Sequence, residues 1–189
     1  MAYSKNSIVT GSLSGLLGKE LVFRDWDGKT VVAKAPKPRK GEPKPGQLAR
    51  QEKFFLATRY AKALLASTDQ SMIQAYARML RPRQNVYSRA IEDFMSAPKV
   101  KSIDPRYYHG AIGDKITIRA IDDFRVTVVL VEIYAPNGTR IESSAAVQNA
   151  NGIDWTYTNM LPNTTLAGSK IKAIAIDVPG NEGTLEITL

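Results

Sequence analysis

Apolar residues recur every three or four positions over much of the first hundred residues, which is typical of amphipathic helices. The pattern predicts three helices, over residues 48–66, 69–80 and 84–97. Thr68 is expected to cap the second helix, because its hydroxyl can accept a bond from the first backbone amides. Pro98 is expected to end the third helix. The buried stripe of the first helix is expected to consist of Phe54, Ala57, Ala61, Leu64 and Leu65. The short breaks between the helices indicate a small antiparallel helical unit.

From about residue 99 onward the period changes to two, which is typical of strands with one buried face. Strands are predicted over residues 115–121, 126–134, 139–146, 155–159, 170–177 and 184–189. So many short strands in roughly ninety residues are typical of a β-sandwich, and Pro136-Asn137-Gly138 indicates one of its hairpins. Trp155 is expected in its core. Residues 126–133 are apolar on both faces, so the helical unit, another chain or the domain's own loops should cover the second face.

The N-terminal part is expected to contain a β-hairpin followed by an extended segment. Residues 20–24 and 30–34 are rich in β-forming side chains, and Gly28 between them can supply a positive φ. A two-stranded hairpin is marginal alone, so it must pack on something else. Residues 34–47, called the strap below, hold four prolines and five basic residues against one acid. Because proline disfavours helix and central strand, the strap is expected to be extended.

Charge divides the chain much as the periodicity does. Residues 1–100 hold 18 of the 26 Lys and Arg residues but 8 of the 18 Asp and Glu residues. We therefore predict an α+β protein of two domains. The first, over residues 1–98, is a basic domain of hairpin, strap and helices. The second, over residues 99–189, is an immunoglobulin-like β-sandwich.

The composition offers little catalytic chemistry. The chain has no cysteine, and its one histidine is His109, which excludes disulfides, thiolate nucleophiles and multi-histidine metal sites. The acid pairs Asp25/Asp27 and Asp122/Asp123 are explained more simply by turns than by catalysis. Neither a phosphate-binding loop nor a nucleophile elbow is complete. We predict that the protein is not an enzyme and that it holds no cofactor and no metal.

The sequence gives no sign of a membrane span. The longest near-continuous apolar run, residues 126–131, is far too short to cross a bilayer. Residues 1–7 lack the pattern of a secretory signal, so we expect that any export would use another route.

The basic N-terminal part is the best candidate for binding a partner. The predicted contact residues are Phe23, Trp26, Lys34, Lys37, Arg39, Lys40, Lys44, Arg50 and Lys53. Two interpretations stay open. Other protein subunits, including copies of this chain, hold the strap in place; or residues 34–53 neutralise the phosphates of a nucleic acid. Since no helix-turn-helix, zinc finger or stacking platform accompanies the charge, we favour the first.

Two parts of the sequence resemble known families. The first resemblance rests on residues 18–24, 27–32, 50–54 and 57–62, together with Pro36 and Gln47. These residues resemble the N-terminal part of uncharacterised proteins of Bacteroidota, in which a short hairpin leads into a basic strap and a helix. That family has no assigned activity, so the resemblance implies no catalytic residue.

Residues 113–189 resemble bacterial immunoglobulin-like modules. The resemblance rests on residues 120–124, 137–139, 154–157 and 175–181. Such modules usually act as spacers, adhesion units or decorations on cell surfaces and virions. The resemblance therefore implies a structural subunit of a phage or prophage virion, or of another extracellular surface assembly. Nucleic-acid binding would instead imply a cytoplasmic protein.

Overall fold

The computed structural model describes residues 13–26, 28–37 and 41–189, and the backbone of residues 2–5. The chain forms two compact units, Met1–Lys44 (unit 1) and Pro45–Leu189 (unit 2). Helices and antiparallel sheets are both present, so the prediction of an α+β protein is confirmed. The helices belong to the same compact unit as the strands that follow them. The domain boundary at residue 98 stays a prediction.

Unit 1 contains a four-stranded antiparallel sheet. Its strands are β1 (Ala2–Lys5), β2 (Gly15–Leu17), β3 (Leu21–Trp26) and β4 (Lys29–Lys34), in the order β1-β4-β3-β2. The predicted hairpin is β3–β4, and the side chain of Asp25 closes its turn by accepting a bond from the amide of Gly28 at 3.0 Å. The sequence pattern does not predict β1 and β2. They pair with the two outer edges of the hairpin.

The strap agrees with the expectation at its start and differs from it at its end. Lys34 is the last residue of β4, and Pro45 is the first residue of α1 (Pro45–Ala66). The expectation that every proline of the strap excludes helix is wrong at Pro45, because the first position of a helix needs no amide hydrogen. Residues 35–37 and 42–44 have no regular secondary structure, and residues 38–40 lie outside the described part of the chain.

The three predicted helices are present with shifted ends. They are α1, α2 (Gln70–Ala77) and α3 (Val86–Met95). Asp69 caps α2 in place of Thr68, since its carboxylate accepts from the amide of Ser71 at 2.8 Å. A capping box between Asn85 and Ser88 begins α3. In the described parts of the chain, none of the helices combines the length and the hydropathy that a membrane span requires.

Eight strands follow the helices and form two four-stranded antiparallel sheets. They are β5 (Lys99–Tyr107), β6 (Lys115–Ile121), β7 (Val126–Tyr134), β8 (Arg140–Ala145), β9 (Val147–Gln148), β10 (Asp154–Thr158), β11 (Lys170–Asp177) and β12 (Glu182–Thr188). The sheet orders are β5-β6-β10-β9 and β12-β11-β7-β8. The bounds of β6, β7 and β11 agree with the prediction, whereas β5 and β9 are not predicted. We call this part of unit 2 the β-domain.

Alternation along the strands builds one core from both sheets. Ile116 and Ile118 of β6 face inward from the first sheet, and Ile171 of β11 faces inward from the second; all three are fully buried. Trp155 is 5% exposed, so its predicted place in the core is confirmed. This shared core is the largest buried apolar cluster that the described residues form.

Strand β7 buries one of its two apolar faces. Val129, Val131 and Ile133 are fully buried, whereas Val128 is 36% exposed and Leu130 is half-buried on the other face. The second face is therefore partly open in this chain. Which element covers the rest stays a prediction.

Gly183 offers a direct test of this packing. A Cβ at Gly183 would overlap the carbonyl of Pro98, because β12 and the start of β5 meet backbone to backbone there. We expect Gly183→Ala to lower the free energy of unfolding by about 2 kcal/mol or more, since the two strands must separate. Denaturant titration followed by circular dichroism measures the loss. Gly46→Ala is the control, because a Cβ at Gly46 meets no atom. Equal stability of the two variants would contradict the close approach.

Candidate assembly interface

The described side chains of the unit 1 sheet form no buried apolar core. Among residues 13–26, 28–37 and 41–44, the one buried side chain is that of Thr30, which is polar. The side chains of Leu16 and Leu17 are each 60% exposed, and that of Trp26 is 65% exposed. A sheet normally buries at least one face against another layer. The described residues of unit 1 lack this layer.

Both faces of the sheet carry apolar side chains. Directly paired residues of antiparallel strands share a face, so the register assigns each side chain to one side. One face holds Leu17, Leu21, Phe23 and Val32. The other holds Leu16, Val22, Trp26, Val31 and Ala33. Charged side chains interrupt both faces, Asp25 and Lys34 on the first and Arg24 and Lys29 on the second. Strands with apolar side chains on both faces are normally covered on both faces.

The two aromatic residues predicted to contact a partner lie on opposite faces. Phe23 is half-buried in the middle of β3, whereas Trp26 is the last residue of that strand. Three positions separate them, and an odd separation along a strand reverses the direction of the side chain. One flat partner surface cannot contact both side chains at once.

The basic residues predicted to contact a partner have different surroundings. Lys34, Lys37, Lys44 and Arg50 are exposed, while Arg39 and Lys40 lie outside the described residues. Lys53 is half-buried on α1, and its ammonium donates to the main-chain carbonyl of Met95 at 3.2 Å. A cation at the C-terminal end of α3 is favourable for the helix dipole. Lys53 therefore has a role inside unit 2, and its contact with a partner stays a prediction.

Helix α1 presents a second apolar surface, which the sequence interpretation assigned to the core. Its inward face contains Ala57 and Ala61, both fully buried. Phe54 and Leu65, expected in the buried stripe, are 51% and 44% exposed, so the expectation is wrong for both. Successive helical residues point about 100° apart, so the run Phe54-Phe55-Leu56 cannot face inward as a whole. Phe55 and Leu56 are 58% and 47% exposed, and this run was the available signal for an outward apolar surface.

A buried polar network fixes α1 against the other helices. The hydroxyl of Tyr76 donates to the carboxylate of Asp93 at 2.6 Å and lies 3.0 Å from the hydroxyl of Tyr60 on α1. Tyr76 and Asp93 are fully buried. Burial is the main cause that raises the pKa of Asp93 to about 6, with a further rise from the carboxylates of Asp122 and Asp177. Burial also raises the pKa of Tyr76, and its bond to Asp93 adds to the rise.

The same network joins the helices to the β-domain. Arg89 is 1% exposed, and its guanidinium donates to the carbonyl of Asp123, in the loop between β6 and β7. The ring of Tyr76 stacks on Phe124 of that loop, with ring centroids 4.1 Å apart. The side chain of Asn181 donates to the carbonyl of Ser96 at 3.1 Å. The outer face of α1 is therefore held rigidly within unit 2.

Two of the acidic residues considered for catalysis, Asp25 and Asp122, accept turn bonds. The carboxylate of Asp122 accepts from the amides of Phe124 and Arg125, each at 3.0 Å. Asp25 closes the β3–β4 turn, and Asp27 lies outside the described residues. Within the described ranges, no three acidic or histidine side chains are grouped so that they could hold a metal ion.

Comparison with known proteins does not assign a family. No family model and no curated protein matches the sequence. Among solved structures, an engineered protein from the Northeast Structural Genomics Consortium aligns with 41% of this chain at 22% sequence identity and a TM-score of 0.29. The aligned part is 14% of that protein's chain. So loose a superposition carries no argument about fold or function.

The buried carboxyl of Asp93 predicts a pH dependence. Its pKa of about 6 in the folded protein exceeds the value of about 3.9 expected in an unfolded chain, so folding favours the protonated form. The resulting stabilisation is complete below about pH 4 and is lost as the pH rises through 6. We expect the unfolding free energy of the wild type, relative to Asp93→Asn, to fall by about 2–3 kcal/mol from pH 4 to pH 7.

Denaturant titrations of both proteins across this pH range measure the difference. The comparison with Asp93→Asn removes the opposite contribution of acids whose pKa is lowered, such as Asp114, which accepts backbone hydrogen bonds. A difference that is independent of pH would show that Asp93 does not titrate as its burial implies.

Proposed function

We propose that the protein is a non-enzymatic structural subunit of a larger assembly. In this proposal unit 1 and the strap dock onto neighbouring subunits, foremost copies of this chain, and an immunoglobulin-like β-sandwich is displayed. The observation that supports it best is the sheet of unit 1, which carries apolar side chains on both faces and, within its described residues, buries no apolar side chain.

Energetics explain why such a sheet favours a partner. Each fully covered Leu or Trp side chain contributes about 1.5–3 kcal/mol relative to leaving it in water. Because the side chains of Leu16, Leu17 and Trp26 are exposed, most of this stabilisation is missing. Contiguous exposed apolar surface on a protein usually indicates an interaction site. A neighbouring subunit that covers either face would supply the missing layer.

The faces of the sheet are better docking surfaces than the edges of its hairpin. Strand addition to the hairpin is disfavoured, because β1 and β2 already pair with the edges of β4 and β3. The edges left over belong to strands of four and three residues. Strands this short offer few main-chain bonds, so docking by side-chain burial is favoured.

The strand order of the β-domain supports an immunoglobulin-like fold. Lettered in chain order with C′ after C, strands β5 to β12 become A, B, C, C′, D, E, F and G. The two sheets then read A-B-E-D and G-F-C-C′, which is the immunoglobulin constant-type order with one added strand. Two features depart from antibody domains: the chain has no cysteine pair, and Trp155 lies on strand E.

A phage or prophage virion, or another extracellular surface assembly, is the setting we propose. Immunoglobulin-like modules commonly serve there as spacers and decorations, and the resemblance of residues 113–189 to such modules supports this setting. The rigid joint between the helices and the β-domain suits a displayed module, because the β-domain then keeps a fixed direction relative to α1.

Nucleic-acid binding through the basic N-terminal part is the alternative function, and one feature of unit 1 favours it. Lys19, Lys34 and Lys37 line a shallow depression at the open end of the β3–β4 hairpin, together with Glu20. Three ammonium groups around one depression suit a chain of phosphates.

Assembly predicts an oligomer that depends on apolar side chains. We expect the nuclease-treated wild type to form a salt-resistant oligomer, because burial of apolar surface is little screened by salt. Leu16→Ser combined with Trp26→Ser should shift it toward monomer, since both side chains lie on one exposed face. Lys34→Gln with Lys37→Gln should lower the mass much less, because apolar burial and not these charges supplies most of the docking energy. Light scattering across protein and salt concentrations measures the mass. A monomer under all conditions would refute self-assembly.

The alternative predicts a different response of the same lysine variant. If unit 1 binds nucleic acid, Lys34→Gln with Lys37→Gln should weaken DNA binding. It should also lower the slope of log affinity against log salt by about 2, since two phosphate contacts are lost. Fluorescence anisotropy with a labelled oligonucleotide gives both quantities. DNA binding that is absent from the wild type, or unchanged in the variant, would exclude this function for the two lysines.

A further inference from the structure

The outer face of α1 carries a depression of a particular shape. Its lining is largely apolar and comes from one helix alone, from Arg50, Gln51, Phe54, Phe55 and Thr58. The last four of these residues stand at positions i, i+3, i+4 and i+7 of the helix. Four residues with this spacing surround a single hole on a helix surface, and a side chain of a facing helix fits into such a hole as a knob. The depression therefore suits a second helix as its occupant.

The walls of this depression are held in place within the chain. The hydroxyl of Thr58 donates to the carbonyl of Phe55 at 2.7 Å, and the guanidinium of Arg59 lies over the Phe55 ring, 5.8 Å from its centroid. Ala57 and Ala61 are fully buried on the opposite side of the helix, so α1 cannot rotate to hide its outer face. A preorganised surface loses little conformational entropy when it binds.

Two exposed residues of opposite charge border Phe55 on one side of the outer face. Glu52 lies three positions before Phe55, and Arg59 lies four positions after it. They are seven residues apart, close to two helical turns, so they share a side of the helix. In an antiparallel pair of two such helices that cross between residues 55 and 56, position 52 of each copy lies level with position 59 of the other. Two-fold symmetry then forms the Glu52–Arg59 pair twice.

The other cations of α1 are compatible with this crossing level. Arg50 would lie level with Ala61 of the second copy, and Lys62 level with Ala49, so neither meets a cation. A crossing at residue 56 would instead bring Arg50 level with Lys62. Charges that flank the seam of a helix pair select its register and orientation in this way. The charge pattern of α1 is thus complementary to itself at the level of its exposed phenylalanines.

The size of the helix fits a reversible pair of copies. Helix α1 has 22 residues and is therefore about 33 Å long. Two such helices bury on the order of 1,000 Å² in total, which is at the lower end of specific protein interfaces. A contact of this size is expected to dissociate on dilution. Two-fold pairs of identical chains are also the commonest protein oligomers.

We propose that the outer face of α1 pairs with the same face of a second copy, as an antiparallel two-fold helix pair that crosses between residues 55 and 56. The rings of Phe54 and Phe55 from both copies pack together at the two depressions, and Glu52 of each copy pairs with Arg59 of the other. This inference goes beyond assembly through unit 1, because it assigns to unit 2 a contact of its own.

Charge reversal tests the helix pair on the full chain. All proteins carry Leu16→Ser with Trp26→Ser, which removes the contact proposed for unit 1. In this background we expect light scattering to show a dimer that dissociates on dilution, so the shift toward monomer caused by the two serines stops at a dimer. Glu52→Arg alone and Arg59→Glu alone should each weaken the dimer at least about tenfold, because like charges then face each other twice.

Restoration of the dimer distinguishes self-pairing from a general loss of stability. Glu52→Arg and Arg59→Glu combined in one chain should restore the dimer. An equimolar mixture of the two single variants should restore it as well, because each then supplies the charge that the other needs. Both residues are exposed, so the fold should persist, which circular dichroism checks. Lys101→Glu is the control: it changes the net charge as Arg59→Glu does, but it lies exposed on β5 and should leave the dimer intact.

Three results would overturn the proposal. The first is a monomer at every concentration in the serine background, and the mass of the wild type then reports separately on assembly through unit 1. The second is a loss in both single variants that neither the combined variant nor the mixture restores, which would indicate a different partner surface for α1. The third is an equal loss in Lys101→Glu, which would make net charge and not pairing the cause.

Discussion

Backbone hydrogen bonds contribute little net stability to a β-sheet in water, because they replace equally good bonds to solvent. A sheet of four strands therefore depends on an apolar face that another layer covers. The sheet of unit 1 carries apolar side chains on two faces, and its described residues bury no apolar side chain. Because Leu16 and Trp26 are exposed and this constraint requires that they be covered, we propose assembly with another subunit. It also explains why the hairpin alone was expected to need support. The described residues of unit 1 do not supply this layer, and a second copy of the chain is the proposed source.

Unit 2, in contrast, buries an apolar core of its own. Its two sheets share one core, and its helices are joined to that core by buried polar groups whose partners lie far apart in sequence. Such a joint has a cost, because the carboxyl of Asp93 is buried beside other acids and its pKa rises to about 6. In return the outer face of α1 keeps a fixed position relative to the β-domain. The proposed display of the β-domain would require such rigidity.

Local pattern predicted the elements well wherever burial follows a simple period. Strands β6, β7 and β11 agree with their predicted bounds because each alternates or is strongly β-branched. Strand β5 was missed because it contains Pro105 and two register shifts, and β9 is two residues long. The exposure of Phe55 could have been predicted from the sequence, because the three consecutive apolar residues Phe54-Phe55-Leu56 cannot all face one side of a helix. The position of the loop at Met160 could not be predicted from the sequence. It depends on a hydrogen bond to Glu142, eighteen residues away in the chain. The placement of Phe23 and Trp26 on opposite faces could be assigned only after the structure showed that β3 extends to Trp26.

The central claim is that the sheet of unit 1 obtains its core from another copy of the chain. Amide hydrogen exchange, read by mass spectrometry over residues 21–34 across a wide range of protein concentration, tests this most directly. The account predicts that these amides exchange rapidly at high dilution and become protected as the concentration rises, while the core strands of unit 2 stay protected throughout. Protection of residues 21–34 that does not change with concentration would contradict the claim, because the sheet would then be stable within a single chain. Rapid exchange at every concentration would contradict it equally, since no copy would then supply the layer.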